Sequence, residues 1–163
     1  MRAQPYPNVP GFAAHFRLFS LATAGHELKD HGLLVQALSE HIATHLAGLA
    51  RLEQHGYDFP HCQVRVLASP AREALGRRVA AGVSDVPVLT ETLDHDYYHG
   101  LRFMIDAVGP SGERVPLIDG GAFDWLGKLL SNRKIIYVAS ALGSQIAAYL
   151  FSRRAPNFTA LTP

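Results

Sequence analysis

The order of its secondary-structure signals predicts an α+β fold for this chain: a mostly antiparallel sheet with flanking helices. Three observations carry that reading. A helix-period stripe runs through residues 30 to 55. Period-two alternation clusters in the second half, where a Gly-Pro-Ser-Gly turn joins two runs as a hairpin. The helical segments are interleaved with this meander and do not alternate strictly with strands, which argues against a Rossmann-like layer order.

The elements follow in chain order. Pro5, Pro7 and Pro10 make residues 1 to 14 an extended lead-in. From His15 to Ala24 the chain alternates in places with both faces mostly apolar, which predicts a buried strand. Asp30 is placed to N-cap a long helix that ends near His55, with Gly56 at its C-terminus. Leu34, Leu38, Ile42, Leu46 and Leu49, spaced by threes and fours, form its buried stripe. Gln63 to Ala68 reads as a short strand, and Ser69-Pro70 opens a second helix to about Ala81, proline being preorganised at a first helical position.

Leu101, Phe103, Ile105 and Ala107 alternate with Arg102, Met104 and Asp106, the pattern of a strand with one buried face. Gly109-Pro110-Ser111-Gly112 is the turn, and Val115 to Ile118 returns as the partner strand. Ala122 to Leu130 reads as helical, Lys134 to Ala139 as an apolar strand and Leu142 to Phe151 as a last helix. Residues 15 to 151 thus make one domain, and 152 to 163 a C-terminal tail.

Composition bounds the function. With 163 residues and 48% apolar side chains the chain can bury a proper core. A net charge of +1 gives no general field for nucleic acid, although Arg72, Arg77 and Arg78, or Arg133 and Lys134, form local basic clusters. Cys62 is the sole cysteine, so no internal disulfide exists, and without a base partner it is a poor candidate nucleophile. The stretch Met-Arg-Ala-Gln-Pro-Tyr-Pro holds no apolar signal core, and no apolar run approaches the roughly 20 residues of a spanning helix. The expectation is a cytoplasmic protein without a membrane segment.

Nine histidines raise the question of a metal. His41 and His45 stand at i, i+4 on the long helix, but no His-Glu-x-x-His pattern or third ligand accompanies them, and they are expected on the helix flank. No metal site is assigned. Gly120-Gly121 lacks the Gly-Lys-Ser/Thr of a phosphate loop and reads as close strand-to-helix packing.

The strongest signal is a pair of motifs. Asp96-Tyr97-Tyr98-x-Gly100 is followed by the hairpin and then by Gly120-Gly121-x-Phe123-Asp124-x-Leu126. These resemble the R-G-x-D-Y-Y-T-G and G-G-G-R-Y-D-G-L motifs of the histidyl-tRNA synthetase group of class II synthetases, which includes the regulatory subunit of ATP phosphoribosyltransferase. The resemblance covers most of residues 15 to 151 and implies a truncated class II synthetase-like core, without motif 1 and the opening strand of motif 2. It implies a ligand pocket at Asp94, His95, Asp96, Tyr97, Tyr98, Asp119, Gly120, Gly121 and Asp124. If residues 93 to 99 form a regular strand, His95, Tyr97 and His99 share one face and Asp94, Asp96 and Tyr98 the other. Alternatively, Asp96 and Asp124 only satisfy backbone amides.

The departures from the family fall on chemical positions. Leu93 and Ala122 stand where the two motifs carry arginine, and Gly143-Ser144-Gln145-Ile146 replaces the Gly-Leu-Glu-Arg of motif 3. Leu18 and Ala22 take the places of the family's Gln and Glu that hold the substrate amino group. Adenylate formation needs positive charge around a triphosphate, and each lost contact raises the barrier by about 3 kcal/mol. No catalytic residue and no cofactor are therefore assigned. What the resemblance implies is a degenerate regulatory or ligand-sensing subunit, in a homo- or hetero-oligomer, for a small amino-acid-like ligand. A ligase fragment completed by a second chain and a structural assembly module are the other two readings.

Overall fold

A computed structural model describes residues 17–153. Six strands form one sheet in the order β1-β6-β5-β4-β2-β3. These are β1 (Leu18–His26), β2 (Gln63–Ala68), β3 (Val88–Thr92), β4 (Leu101–Val108), β5 (Arg114–Phe123) and β6 (Ile135–Gly143). Neighbours pair antiparallel except β2 and β3, which are parallel and joined by helix α2 (Glu73–Ala81). The fold is α+β with a mostly antiparallel sheet, as the sequence predicts.

One face of the sheet is covered. Helix α1 (Gly32–Glu53) lays Leu34, Leu38, Ile42 and Leu49 onto Val64, Val66, Leu101, Phe103, Ile105 and Val138, all nearly or fully buried. Each such side chain contributes about 1.5–3 kcal/mol through apolar burial, so this single layer accounts for most of the core. The opposite face carries a smaller cluster of Leu67, Leu93, Tyr98, Met104 and Phe123, and is open toward β1 and β6. Two short helices, α3 (Trp125–Leu129) and α4 (Ser144–Leu150), flank the strand ends.

Several expectations are corrected. Asp30 does not cap α1: it adopts a left-handed backbone (φ 55°) and makes no capping bond. The carboxylate of Glu27 does the work instead, accepting the amides of Leu33 (3.1 Å) and Leu34 (3.3 Å) at the helix start. β1 is not buried. Among the described residues it pairs only with β6; Leu18 lies on the open face and Phe19 meets the His45 ring edge-on from the sheet margin, so both are half exposed. Residues 15 and 16 lie outside the described part. β4 is buried on both faces, since Met104 and Asp106 are covered as well as Phe103 and Ile105.

Ala122 and Phe123 close β5 and do not open a helix, because they pair with Val138 and Tyr137 of β6. β6 likewise continues to Gly143, where it is held through Leu18 of β1, so the last helix begins at Ser144 and not at Leu142. Strand β3 has no counterpart among the expected elements, because its signal, a Val- and Thr-containing run after Pro87, is short and lies at a sheet edge. Residues 93 to 100 form a loop of bends, so period-two alternation does not apply to them.

His41 and His45 are not flank residues. They face the sheet and are 4% and 2% exposed. The Ser140 hydroxyl lies 2.9 Å from His41 Nδ1 and 2.8 Å from His45 Nε2, and Thr23 Oγ1 lies 3.0 Å from His41 Nε2. Among the described residues no group of three metal-ligating side chains converges. No helix there is long and apolar enough to cross a membrane.

Candidate functional site

Register decides which side chains reach the open face. Opposite residues in the sheet are Ser20 with Ala141, Ala22 with Ala139, Ala139 with Gly121, Ala141 with Asp119, and Asp119 with Met104. These positions share one face, while Thr23, Ser140, Gly120 and Phe103 share the other. The open face between β1 and β4 is a groove of about 550 Å3. Its floor is made of small residues, Ser20, Ala22, Ala139 and Ala141, with Leu18 and Ile146 at one end.

One wall is aromatic. Tyr98, inserted from the bent loop, is 7% exposed and tilts against Phe123 at a centroid distance of 5.1 Å. Tyr97, 63% exposed, stands edge-on to Tyr98, Phe123 and Trp125 at 5.0, 5.7 and 6.1 Å. Gly121 makes this possible: a Cβ there would lie 2.5 Å from Cδ1 of Tyr98 and would also collide with the Leu101 carbonyl. Burial, reinforced by the nearby Asp119 charge, pushes the Tyr98 hydroxyl well above its usual pKa, so it stays protonated.

Beside Tyr98 stands an ion pair. Arg102 donates from Nε (2.9 Å) and Nη2 (2.8 Å) to the two carboxylate oxygens of Asp119, a bidentate arrangement. Its guanidinium also lies 5.3 Å over the Tyr98 ring. Among the described residues lining the groove, Arg102 is the only cation and Asp119 the only anion.

Of the nine residues singled out from the sequence, Tyr97, Tyr98 and Asp119 line this groove, and Gly121 lies beneath the Tyr98 ring. Asp94, His95 and Asp96 are exposed on the loop outside it, His95 Nε2 coming within 3.3 Å of Arg102 Nη1. Gly120 faces the other way: a Cβ there would collide with Ser140 on the α1 side. Asp124 lies in a separate depression at the sheet end, 2.7 Å from Lys128 Nζ and 3.7 Å from His99 Nδ1. Arg102 and Tyr137 complete the groove's polar wall and aromatic rim, and Trp125 backs that rim against Tyr97 and Phe123. Arg102 is legible as the outward-alternating residue of β4, whereas Tyr137 becomes visible only through the β5–β6 register.

The positions where the sequence departs from the family motifs separate in space. Leu18 and Ala22 line the groove with apolar surface. Leu93 is 5% exposed and packs with Tyr98 and Met104. Ala122, 3% exposed, faces the α1 side and adds nothing to the groove.

Comparison with known proteins supports the fold. The chain is similar to apo histidyl-tRNA synthetase of S. aureus at 20% identity and a TM-score of 0.56, covering 80% of this chain and 38% of that one. It is also similar to an Aeropyrum pernix chain assigned as a threonyl-tRNA synthetase, at 12% identity and a TM-score of 0.55, covering 78% and 34%. This chain therefore spans little more than a third of those proteins. No family model matches it, and no curated protein matches it by sequence. At these identities the likeness is one of fold: a class II synthetase-like sheet with its flanking helices.

Proposed function

We propose that the open groove binds a small zwitterion, an amino acid or a close relative, and that the chain acts as a ligand-sensing subunit and not as a synthetase. The observation that carries this reading is the Arg102–Asp119 pair beside Tyr98, in a groove with no second cation among its described lining. A zwitterion offers a carboxylate to Arg102 and an ammonium to Asp119 and the tyrosine faces, so both halves of the pair gain a partner. A triphosphate needs several cations placed around it, and the one available here is already matched by a carboxylate. Sensing requires only that the ligand bind one state better than another.

The counterpart most like this reading is the regulatory subunit of ATP phosphoribosyltransferase in histidine biosynthesis, a cytoplasmic protein whose ligand binding biases a catalytic partner. The half-exposed Leu18 and Phe19 on edge strand β1 suit an oligomer contact with a copy of the chain or with that partner.

The test is thermal stabilisation by each amino acid with and without Mg-ATP, alongside ATP–pyrophosphate exchange. Stabilisation by histidine or a relative that does not depend on ATP supports the sensor. Measurable exchange would instead identify a ligase completed by a second chain. A flat response to every amino acid and nucleotide leaves an assembly module.

A further inference from the structure

A second depression lies at the end of the sheet, behind the aromatic wall, where β5 and β6 meet the start of α1. It encloses about 600 Å3, within the range of small-molecule sites. Its floor is apolar, made by Leu34, Ala122, Phe123, Ile136 and Tyr137. Its rim is polar and mostly basic, with Arg72, His99, Lys128 and Arg133 set among Glu27, His31 and Asp124.

The carboxylates in the depression are already engaged. Glu27 accepts the amides of Leu28, Leu33 and Leu34, and Asp124 is bound to Lys128. Neither Arg72 nor Arg133 has a carboxylate within ion-pair distance among the described residues, although Arg72 lies close enough to Glu27 to feel its charge. Arg72 is half-buried and pressed against the loop, where a Cβ on Gly100 would lie 2.8 Å from its Cδ. Its stem is held in place before any ligand arrives, which lowers the entropic cost of binding.

We propose that this depression is a second ligand site, one that takes a phosphomonoester carrying a flat apolar body. Two unpaired guanidinium groups match a dianion, and Arg is the side chain suited to bidentate phosphate contact. His99 and His31 supply further donors at the rim, while the apolar lining of Leu34, Ala122 and Ile136, with Phe123 and Tyr137 at its border with the groove, covers the apolar body. A helix-end amide site is not needed for this, because Glu27 already occupies the start of α1. The site shares Phe123 and Tyr137 with the open groove but none of its charged residues, and it does not depend on the function proposed for that groove.

Burial, with the charges of Arg72 and Lys128, holds the His99 imidazole below its usual pKa. An anion seated between them reverses that influence and raises it. The experiment follows the His99 ring by NMR in the full chain during titration with phenyl phosphate, inorganic phosphate, phenol and benzoate. The expected result is saturable binding of phenyl phosphate with a rise in the His99 pKa, at least about tenfold tighter than each of the other three. R72Q and the exposed R133Q each weaken it by about tenfold or more, R72K weakens it less, and D119N leaves it unchanged. Melting curves confirm that the variants are folded, and R133Q keeps the test valid if R72Q is not. Absence of saturable binding, equal binding of benzoate or inorganic phosphate, or indifference to R133Q overturns the proposal.

Discussion

Ser140 Oγ lies 2.8 Å from Nε2 of His45, a residue 95 positions earlier in the chain, and this contact ties α1 to the middle of β6. The same hydroxyl reaches His41, and His41 reaches Thr23 of β1. A serine has one hydrogen to donate, so Ser140 donates to one imidazole and accepts from the other. The ring that accepts from Ser140 is therefore unprotonated at that nitrogen, so the network holds at least one of the two imidazoles neutral.

This arrangement sets a pH dependence. Burial, and to a lesser degree the neighbouring His41, lowers the His45 pKa to about 4, from 6.5 in the unfolded chain. Between those values the unfolded state binds more protons, so stability is full above pH 6.5 and falls as pH drops toward 4. The loss amounts to about 3 kcal/mol at its limit. Denaturant melts from pH 7.5 to 4 check this; H45L should flatten the profile, and an equally steep profile in H45L would assign the dependence elsewhere.

Removing the bridging hydroxyl leaves two buried ring nitrogens without their partner. S140A is expected to destabilise by about 2–6 kcal/mol, at about 1–3 kcal/mol for each unsatisfied group. Urea unfolding measures it. A change below half a kcal/mol would show that the network contributes nothing net.

Gly120 and Gly121 point to opposite faces and fail differently when given a side chain. G120A drives a methyl into Ser140, whereas G121A collides with the Leu101 carbonyl and the Tyr98 ring. Each should cost about 1–3 kcal/mol by overpacking. Only G121A should displace Tyr98 and alter its near-ultraviolet dichroism, and identical spectra for the two variants would contradict the assigned faces.

The Arg102–Asp119 pair separates ligand recognition from folding. It lies on the partly exposed face, so R102A and D119N are expected to shift the melting temperature by only a few degrees. Both should abolish stabilisation by the zwitterion that binds the wild-type chain. D119N should weaken a free amino acid more than its N-acetyl derivative, which lacks the ammonium. Calorimetry on these four combinations decides it.

Cys62 is expected to be unreactive. Burial, aided by the Asp106 and Glu53 charges, pushes its thiol up to about 11 from 9.0. The thiolate fraction at pH 8 is therefore about a hundredfold below that of an ordinary cysteine, and iodoacetamide labelling should slow in proportion. Labelling at the rate of free cysteine would show that the site opens readily.

Much of the fold is legible in local pattern. The α1 stripe, the hairpin turn and the β4 alternation each come from side chains a few residues apart, whose spacing is fixed by helix or strand geometry. Boundaries were harder to read because neighbouring strands set them. Ala122, Phe123 and Leu142 carry no local signal against a helix, yet each is drawn into the sheet by a partner far away in sequence. β3 and the exposure of β1 were illegible for a related reason: an edge is defined by what fails to lie beside it.

For the site, the sequence by itself determined the residue types and the approximate place. It marks the Tyr97-Tyr98 loop, the glycines of β5 and a scarcity of arginine near them. Tertiary structure alone decided how those residues are shared out. Register sends Asp119 to the open groove beside Arg102, turns Gly120 and Ala122 toward α1, and leaves Asp124 with Lys128 at the sheet end. A one-residue step along a strand reverses the face, so motif neighbours that look like one pocket in sequence occupy two.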